Sequence, residues 1–326
     1  MGEATPGWWS APTWLVDAAR LRETLDLLHV ALDKPHTAAV SPTGDMLVHD
    51  RRAVADSLRH VLDRLGKVDL DATRALSGVM REFRSEARAT SLRELFDGLQ
   101  GALRRRVGAI LGPAKTAVVQ RLLASPTPDV LRILGREDDE NSHSDLIAWL
   151  LNPRRAPIVA LHALRQLTAR LDDPEQWAFS LANAVADDSV SVRRELVIAR
   201  ELAGEDDLSR VDIVVTGPGF ILAIENKVWS SEHSDQTKTY WSWLASCRGL
   251  RGGLFLSPSG VTAISGDFKA LSYLDLVAAL VEGPSRAAIS EMEEIVLASY
   301  LKTLARQIIP VEMRAVRELA MHRGTP

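Results

Sequence analysis

The apolar positions change their period part-way along the chain. From about Trp14 to Asp33, residues such as Leu15, Ala18, Leu25, Leu28 and Leu32 recur at helical spacing. "PHTAAVSPTGDM" then reads as a loop. Helical spacing resumes near 51–66, 71–87, 91–111 and 114–124, and Val54, Leu58, Val61, Leu62 and Leu65 form the stripe of a buried helix face. Residues 1–125 are therefore expected to form an all-helical N-terminal domain and residues 126–326 a second domain. "SPTPDVLRIL" restarts a helix after a proline break. "DENSHSDLIAWLLNP" follows, with Leu146, Ile147, Leu150 and Leu151 as its buried stripe and Asn152-Pro153 as its stop. Further helices are expected at 157–171 and 174–186. "SVSVRRELVIA" is alternating and β-branched, which predicts a strand. Two more apolar strands, 210–216 and 220–228, flank a Gly-Pro-Gly turn. "SSEHSDQTKTYWSWLASC" returns to helical spacing, and "GGLFLSP" is a strand between breakers. "SYLDLVAALVEG", 286–307 and 311–322 are helices. Helix, three strands, helix, strand and helices in that order predict an α/β core around a mixed sheet.

Three charges interrupt the two central strands: Asp212, Glu225 and Lys227. Charges in strands this apolar are costly unless they are paired or bind a metal. Folding the chain about Pro218–Gly219 sets Asp212 opposite Glu225. Glu225 and Lys227 then share a face, because strand side chains repeat every second residue. Leu222, Ile224 and Val228 turn to the opposite layer. Two carboxylates so placed repel when both ionise, and a divalent cation relieves that repulsion. Hard oxygen ligands with open water positions suit Mg²⁺ or Mn²⁺. Such an ion polarises a phosphoryl oxygen and acidifies a bound water. Lys227 is placed to orient that water and to stabilise developing charge. The chemistry this set implies is hydrolysis of a phosphodiester.

Asp212 followed by Glu225-x-Lys227 after a hairpin resembles the PD-(D/E)xK nuclease superfamily, whose restriction-endonuclease-like core runs αβββαβ with a mixed sheet flanked by helices. Val211 stands where that motif has its proline. "EDDENSHSDLIAWLLNP" is similar to the opening helix of a largely uncharacterised bacterial subgroup, and Gln236 with Tyr240 matches a Q-x-x-x-Y helix found in related nucleases. "LFLSPSG" and "LSYLDL" also resemble that subgroup, so the likeness covers roughly 137–285 and leaves out the helical first 125 residues. The resemblance implies that Asp212 and Glu225 ligate the metal with the Asn226 carbonyl, with Glu140 as an auxiliary ligand. Lys227 would be the catalytic lysine, and Gln236 and Tyr240 would hold the substrate backbone or orient the site. His143 and Ser144 would contact phosphate or a metal-bound water. Each residue also has a plainer reading: Glu140 as a first-turn acid, His143 as a local hydrogen-bonding group, Gln236 as an exposed helix residue and Tyr240 as core. Trp229, Trp241 and Trp243 read as packing residues.

Composition narrows the picture. With 46% apolar and 25% charged residues, the chain has the make-up of a globular protein. Its net charge of -4 does not advertise nucleic-acid binding. The charge is uneven, however. No acid lies between Asp97 and Asp129, where Arg104, Arg105, Arg106, Lys115 and Arg121 cluster. That segment, its three arginines foremost, is the candidate phosphate-backbone contact, with a solvated basic helix face as the alternative. A single cysteine, Cys247, excludes disulfides within the chain and cysteine-based zinc sites, and it fits a reducing cytoplasm. No apolar run is long enough to cross a membrane, and no signal-peptide pattern opens the chain. The expectation is a cytoplasmic, Mg²⁺- or Mn²⁺-dependent nuclease acting on DNA ahead of RNA, with defence against phage or foreign DNA as its setting. A catalytically silent scaffold and a subunit docked to a helicase or ATPase are the rivals. A homodimer, or a partner protein on the helical region, is compatible with either.

Overall fold

The computed structural model describes residues 89–198, 209–229, 232 and 235–321. The helices expected at 14–33, 51–66 and 71–87 lie outside these residues. The chain divides into two compact units, Met1–Ala102 and Leu103–Pro326. Helix α1, Ala89–Ala124, is really two helices joined at a kink, where Gly112 has a φ of 65° just before Pro113. That is the break the sequence places between 111 and 114. Val107, Leu111, Val119 and Leu122 of α1 are buried in the main core of the second unit. That unit therefore takes in most of α1.

Eight further α-helices among the described residues surround one sheet. They are α2 (Val130–Ile133), α3 (Glu140–Leu150), α4 (Pro157–Thr168), α5 (Pro174–Ala186), α6 (Gln236–Ser246), α7 (Tyr273–Leu280), α8 (Glu291–Thr303) and α9 (Pro310–Met321). A π-helical turn, Leu304–Ile308, links the last two. The strands are β1 (Ser191–Ile198), β2 (Ser209–Gly217), β3 (Phe220–Asn226), β4 (Leu250–Ser257) and β5 (Phe268–Ser272), side by side in that order. β1, β2 and β3 are antiparallel, whereas β3, β4 and β5 are parallel. The mixed sheet flanked by helices is the restriction-endonuclease-like α/β fold.

The sequence explains the central hairpin directly. Gly219 has a φ of 80°, a conformation that favours glycine, so the turn closes on Pro218–Gly219. That turn sets the register Gly217↔Phe220 through Ile213↔Ile224. All seven residues of β3 are buried, as a strand covered on both faces must be. One face packs on α3, α4, α5, α7 and α8, through Ile213, Val215, Leu222 and Ile224 among others. The other packs on α6, where Tyr240 and Leu244 meet Val214, Ile221 and Ala223. Strand β5 has no counterpart in the expected elements. It is five residues long, too short for its pattern to separate from the helix that follows, and its pairing comes from the β4 backbone.

Caps hold the layer behind the site. Asp139 caps α3 by accepting the Asn141 N–H at 3.1 Å. Glu293, 1% exposed, serves two helices at once. Its Oε2 accepts from Ser290 in a capping box, while Oε1 accepts the Ile158 and Val159 N–H groups at the start of α4. A buried carboxylate is tolerable there because four donors surround it.

Candidate active site

At the Asp212 end of the hairpin the strands part. The β2–β3 pairing stops at Ile213↔Ile224. One residue on, Asp212 offers its side chain in place of its backbone, and Oδ2 accepts the Asn226 N–H at 2.8 Å. Glu225 is fully buried, with Oε1 2.7 Å from Lys227 Nζ. Its Oε2 is buried without a hydrogen-bond partner. Lys227 Nζ also stands 3.6 Å from Glu140 Oε1 in the first turn of α3, and Glu140 Oε2 accepts the Val228 N–H at 2.8 Å. Three elements thus bring Glu140, Asp212 and Glu225 around one ammonium group.

The electrostatics follow from this placement. Burial pushes the Glu225 carboxyl well above the usual carboxylate range, and the neighbouring Asp212 charge pushes the same way against Lys227. Burial also raises Asp212, opposed by the Asn226 N–H and by Lys227. Burial works against the Lys227 ammonium, but Glu225 and Glu140 outweigh it, and its pKa rises. Burial, more than mutual repulsion, therefore makes these two carboxylates harder to ionise than they would be in water.

Helix α6 supplies the opposite wall. It starts at Gln236, later than the pattern from Ser230 suggests, and this puts Gln236 in its first turn. Gln236 Nε2 donates to the Tyr240 hydroxyl at 2.6 Å, and that hydroxyl donates to the Arg210 carbonyl of β2. The Gln236 carbonyl oxygen is left buried and without a partner. Burial, with the Glu225 charge next, holds the Tyr240 hydroxyl protonated well beyond its ordinary range. Glu232 accepts the Thr237 N–H at 2.9 Å and the Ile264 N–H at 2.7 Å, tying the start of α6 to the segment after β4.

A family model described as the PD-(D/E)XK nuclease superfamily matches residues 128–318, more than half of the chain. The chain belongs to that superfamily. No curated protein and no solved structure gives a significant match to it. Membership makes this a nuclease-type phosphodiesterase. Asp212 and Glu225-x-Lys227, which resemble the motif of the family's name, are among the residues the parted strands bring together.

Other expected residues take different places in this nuclease. His143 is fully buried, and its Nε2 donates to the Glu137 carbonyl at 2.8 Å while Nδ1 lies 3.4 Å from the Tyr300 hydroxyl. Burial lowers its pKa and keeps it neutral. Ser144, 1% exposed, accepts from Asn226 Nδ2 at 2.9 Å. Neither side chain is open to a phosphate, so the substrate contact expected of the pair gives way to a part in the scaffold. Arg104 pairs with Glu318 of α9 at 3.2 Å, and Arg106 lies near Glu312 of the same helix. Lys115 meets Glu282 at 2.6 Å, and Arg121 meets Glu294. The acid-free segment is thus largely matched by acids of the C-terminal helices, and of its three arginines only Arg105 is exposed. Acids 160 to 220 residues away supply that compensation, which a local charge count does not register. Arg194, Tyr273 and Tyr300 are participants that the sequence did not mark. An arginine in an edge strand reads as solvated, and the two tyrosines sit in apolar helical patterns that read as core.

Proposed function

We propose that this nuclease hydrolyses DNA phosphodiesters with the aid of Mg²⁺ or Mn²⁺. The observation that carries the reading is the Glu225 carboxylate. It is fully buried, faces Asp212, and keeps one oxygen without a hydrogen bond. A buried carboxylate in that state is unfavourable for folding, and a hard cation would compensate it. Among the described residues no three His, Cys, Asp or Glu side chains form a ready-made ion cage. Mg²⁺ is commonly held by one or two carboxylates together with substrate phosphate. Asp212 and Glu225 would hold it, helped by the Asn226 carbonyl, with Glu140 as an outer ligand. The ion, when bound, supplies charge neutralisation and an acidified water.

The chain's own residues do the rest. Lys227 lies beside Glu225 and Glu140, where it can orient the attacking water and stabilise negative charge on the phosphate as the bond to the leaving oxygen breaks. Gln236 presents an unpartnered oxygen and is held in place by Tyr240, so the pair is suited to orienting the water or the nucleic-acid backbone. Defence against phage or other foreign DNA is the setting we propose, by analogy with nucleases of this fold.

Plasmid, linear duplex, single-stranded DNA and RNA, each incubated with Mg²⁺, Mn²⁺ or EDTA, test the proposal. The expected result is metal-dependent DNA cleavage that EDTA abolishes and that both Lys227→Ala and Asp212→Ala remove. Cleavage surviving in both variants would reject the site. Cleavage of RNA alone would move the substrate assignment and leave the site in place. A wild-type protein that cuts none of the four would favour a silent scaffold.

A further inference from the structure

The β1–β2 ladder is broken at one place. Its pairs run Ser191↔Thr216 to Arg194↔Ile213 and resume at Leu196↔Val211, which omits Glu195 opposite Asp212. Glu195 has a φ of 47°, in the left-handed region. For a residue other than glycine, that conformation is unfavourable by about 1–2 kcal/mol. Glu195 is exposed, so no burial of its side chain explains it. The break is also a crease. Val192 packs on the larger core and Leu196 on the smaller one, although residues four apart share a face in an unbroken strand. In β2, Ile213 belongs to the larger core and Val211 to the smaller.

The guanidinium of Arg194 lies at this crease. Its Nη1 donates to the Asp212 carbonyl, and Nη2 donates to the Asn141 carbonyl at 3.1 Å and reaches the Asn141 side-chain oxygen at 3.4 Å. Its Nε meets Asp145 at 2.8 Å. The Arg194 side chain is 18% exposed against 65% for Asp145. The Asp212 carbonyl contact is therefore the sheltered arm, and the Asp145 ion pair and the Asn141 contacts are the solvated ones. Asp212 is one of the proposed metal ligands, and Asn141 follows Glu140 in the chain.

We propose that Arg194 is a positioning residue, a clamp that sets the first turn of α3 against β2 and so fixes Glu140 relative to Asp212, with the left-handed Glu195 breaking the ladder where the clamp must enter. The planar fork suits the task, because it reaches two carbonyls and a carboxylate at once, which a lysine ammonium on its flexible stem does not do with the same geometry. The functional consequence rests on the nuclease reading of the site. The positioning itself does not.

The Asn226 and Val228 amides report the clamp, since Asp212 and Glu140 respectively hold them. Hydrogen exchange is measured on the full chain without metal or nucleic acid. In Arg194→Met these two amides are expected to exchange at least tenfold faster than in wild type, while Leu222 and Ala223 in the middle of β3 stay as they were. Arg194→Lys should recover part of the protection. Asp145→Asn should leave it within about twofold. Glu195→Gly, which suits a positive φ, should keep wild-type protection, whereas Glu195→Val, which resists that conformation, should reproduce the Arg194→Met pattern. Where Arg194→Met loses protection throughout β3, Arg194→Lys and Glu195→Val decide the matter. Wild-type protection of both amides in Arg194→Lys and Glu195→Val overturns the clamp. In cleavage assays Arg194→Lys should lower kcat tenfold or more with KM for DNA within about twofold. A wild type that cleaves nothing counts against the nuclease reading, and the exchange data then decide the clamp by themselves.

Discussion

Two buried polar clusters meet at Asn226, and they are satisfied to very different degrees. In one, Tyr273 donates to Asn226 Oδ1 at 2.7 Å, Asn226 Nδ2 donates to Ser144 at 2.9 Å, and the Tyr300 hydroxyl lies 3.4 Å from His143 Nδ1. His143 closes this chain onto the Glu137 carbonyl. Its members are neutral, and each has a partner. In the other cluster Glu225, Asp212 and Lys227 are ionisable, and Glu225 Oε2 and Gln236 Oε1 have no partner. Native interiors leave few such atoms, and those they leave call for a reason. The paired cluster suits a scaffold, and the under-paired one is the site we propose for the chemistry. Asn226 joins them, since its side chain is held in the first and its N–H holds Asp212 in the second.

The sharpest way to break the contrast is to disable each cluster and ask what is lost. Lys227→Ala should lower kcat by roughly 10³-fold, about 4 kcal/mol of transition-state stabilisation, while the metal-bound variant melts within a few degrees of wild type. A fall in melting temperature large enough to explain the lost activity would make Lys227 structural and erase the distinction. Next in size is Tyr273→Phe. It leaves Asn226 Oδ1 short of a partner in a fully buried place, and should lower stability by about 1–3 kcal/mol. At a temperature where the variant is folded, its cleavage rate should stay within a few-fold of wild type. Denaturant melts and steady-state kinetics on the same samples check both halves.

The same contrast marks what the sequence could disclose. Asp212, Glu225 and Lys227 were legible because a charge in a strand as apolar as "FILAIENKV" departs from its surroundings, and because the Pro218–Gly219 turn leaves little freedom in the register. Glu140 was legible only through its likeness to a known helix, since an acid in a first turn is ordinary. The scaffold cluster was not legible. Tyr273 and Tyr300 are 47 and 74 residues from Asn226, and a tyrosine in an apolar helix gives no sign of which carbonyl its hydroxyl will meet. His143 and Ser144 were singled out through the helix's likeness to known nucleases, which implied contact with phosphate. Both are buried: Ser144 ties α3 to Asn226, and His143 ties it to the Glu137 carbonyl. Arg194 was missed because its importance lies in main-chain carbonyls, which carry no residue-specific signal.

The smallest of the expected effects runs opposite to the first two. Glu225→Gln removes the buried charge that the site does not compensate, so the metal-free variant should be more stable than wild type at neutral pH. An increase of roughly 2–4 °C in melting temperature corresponds to about 1 kcal/mol in a domain of this size. The pH dependence follows from the direction of the Glu225 shift. Its pKa is higher folded than unfolded, so the group favours the folded state below the ordinary carboxylate range, where it is protonated. That contribution is lost as pH rises through the folded value. The advantage of Glu225→Gln should therefore be greatest near pH 7–8 and should shrink towards pH 4, where wild type carries its own proton. Mn²⁺ or Mg²⁺ should narrow the gap from the other side, by stabilising wild type through binding while acting weakly on the variant. Equal melting temperatures for the two proteins across that pH range would mean that Glu225 is already compensated in the folded chain. The distinction between a satisfied scaffold and an unsatisfied site would then lose its physical basis.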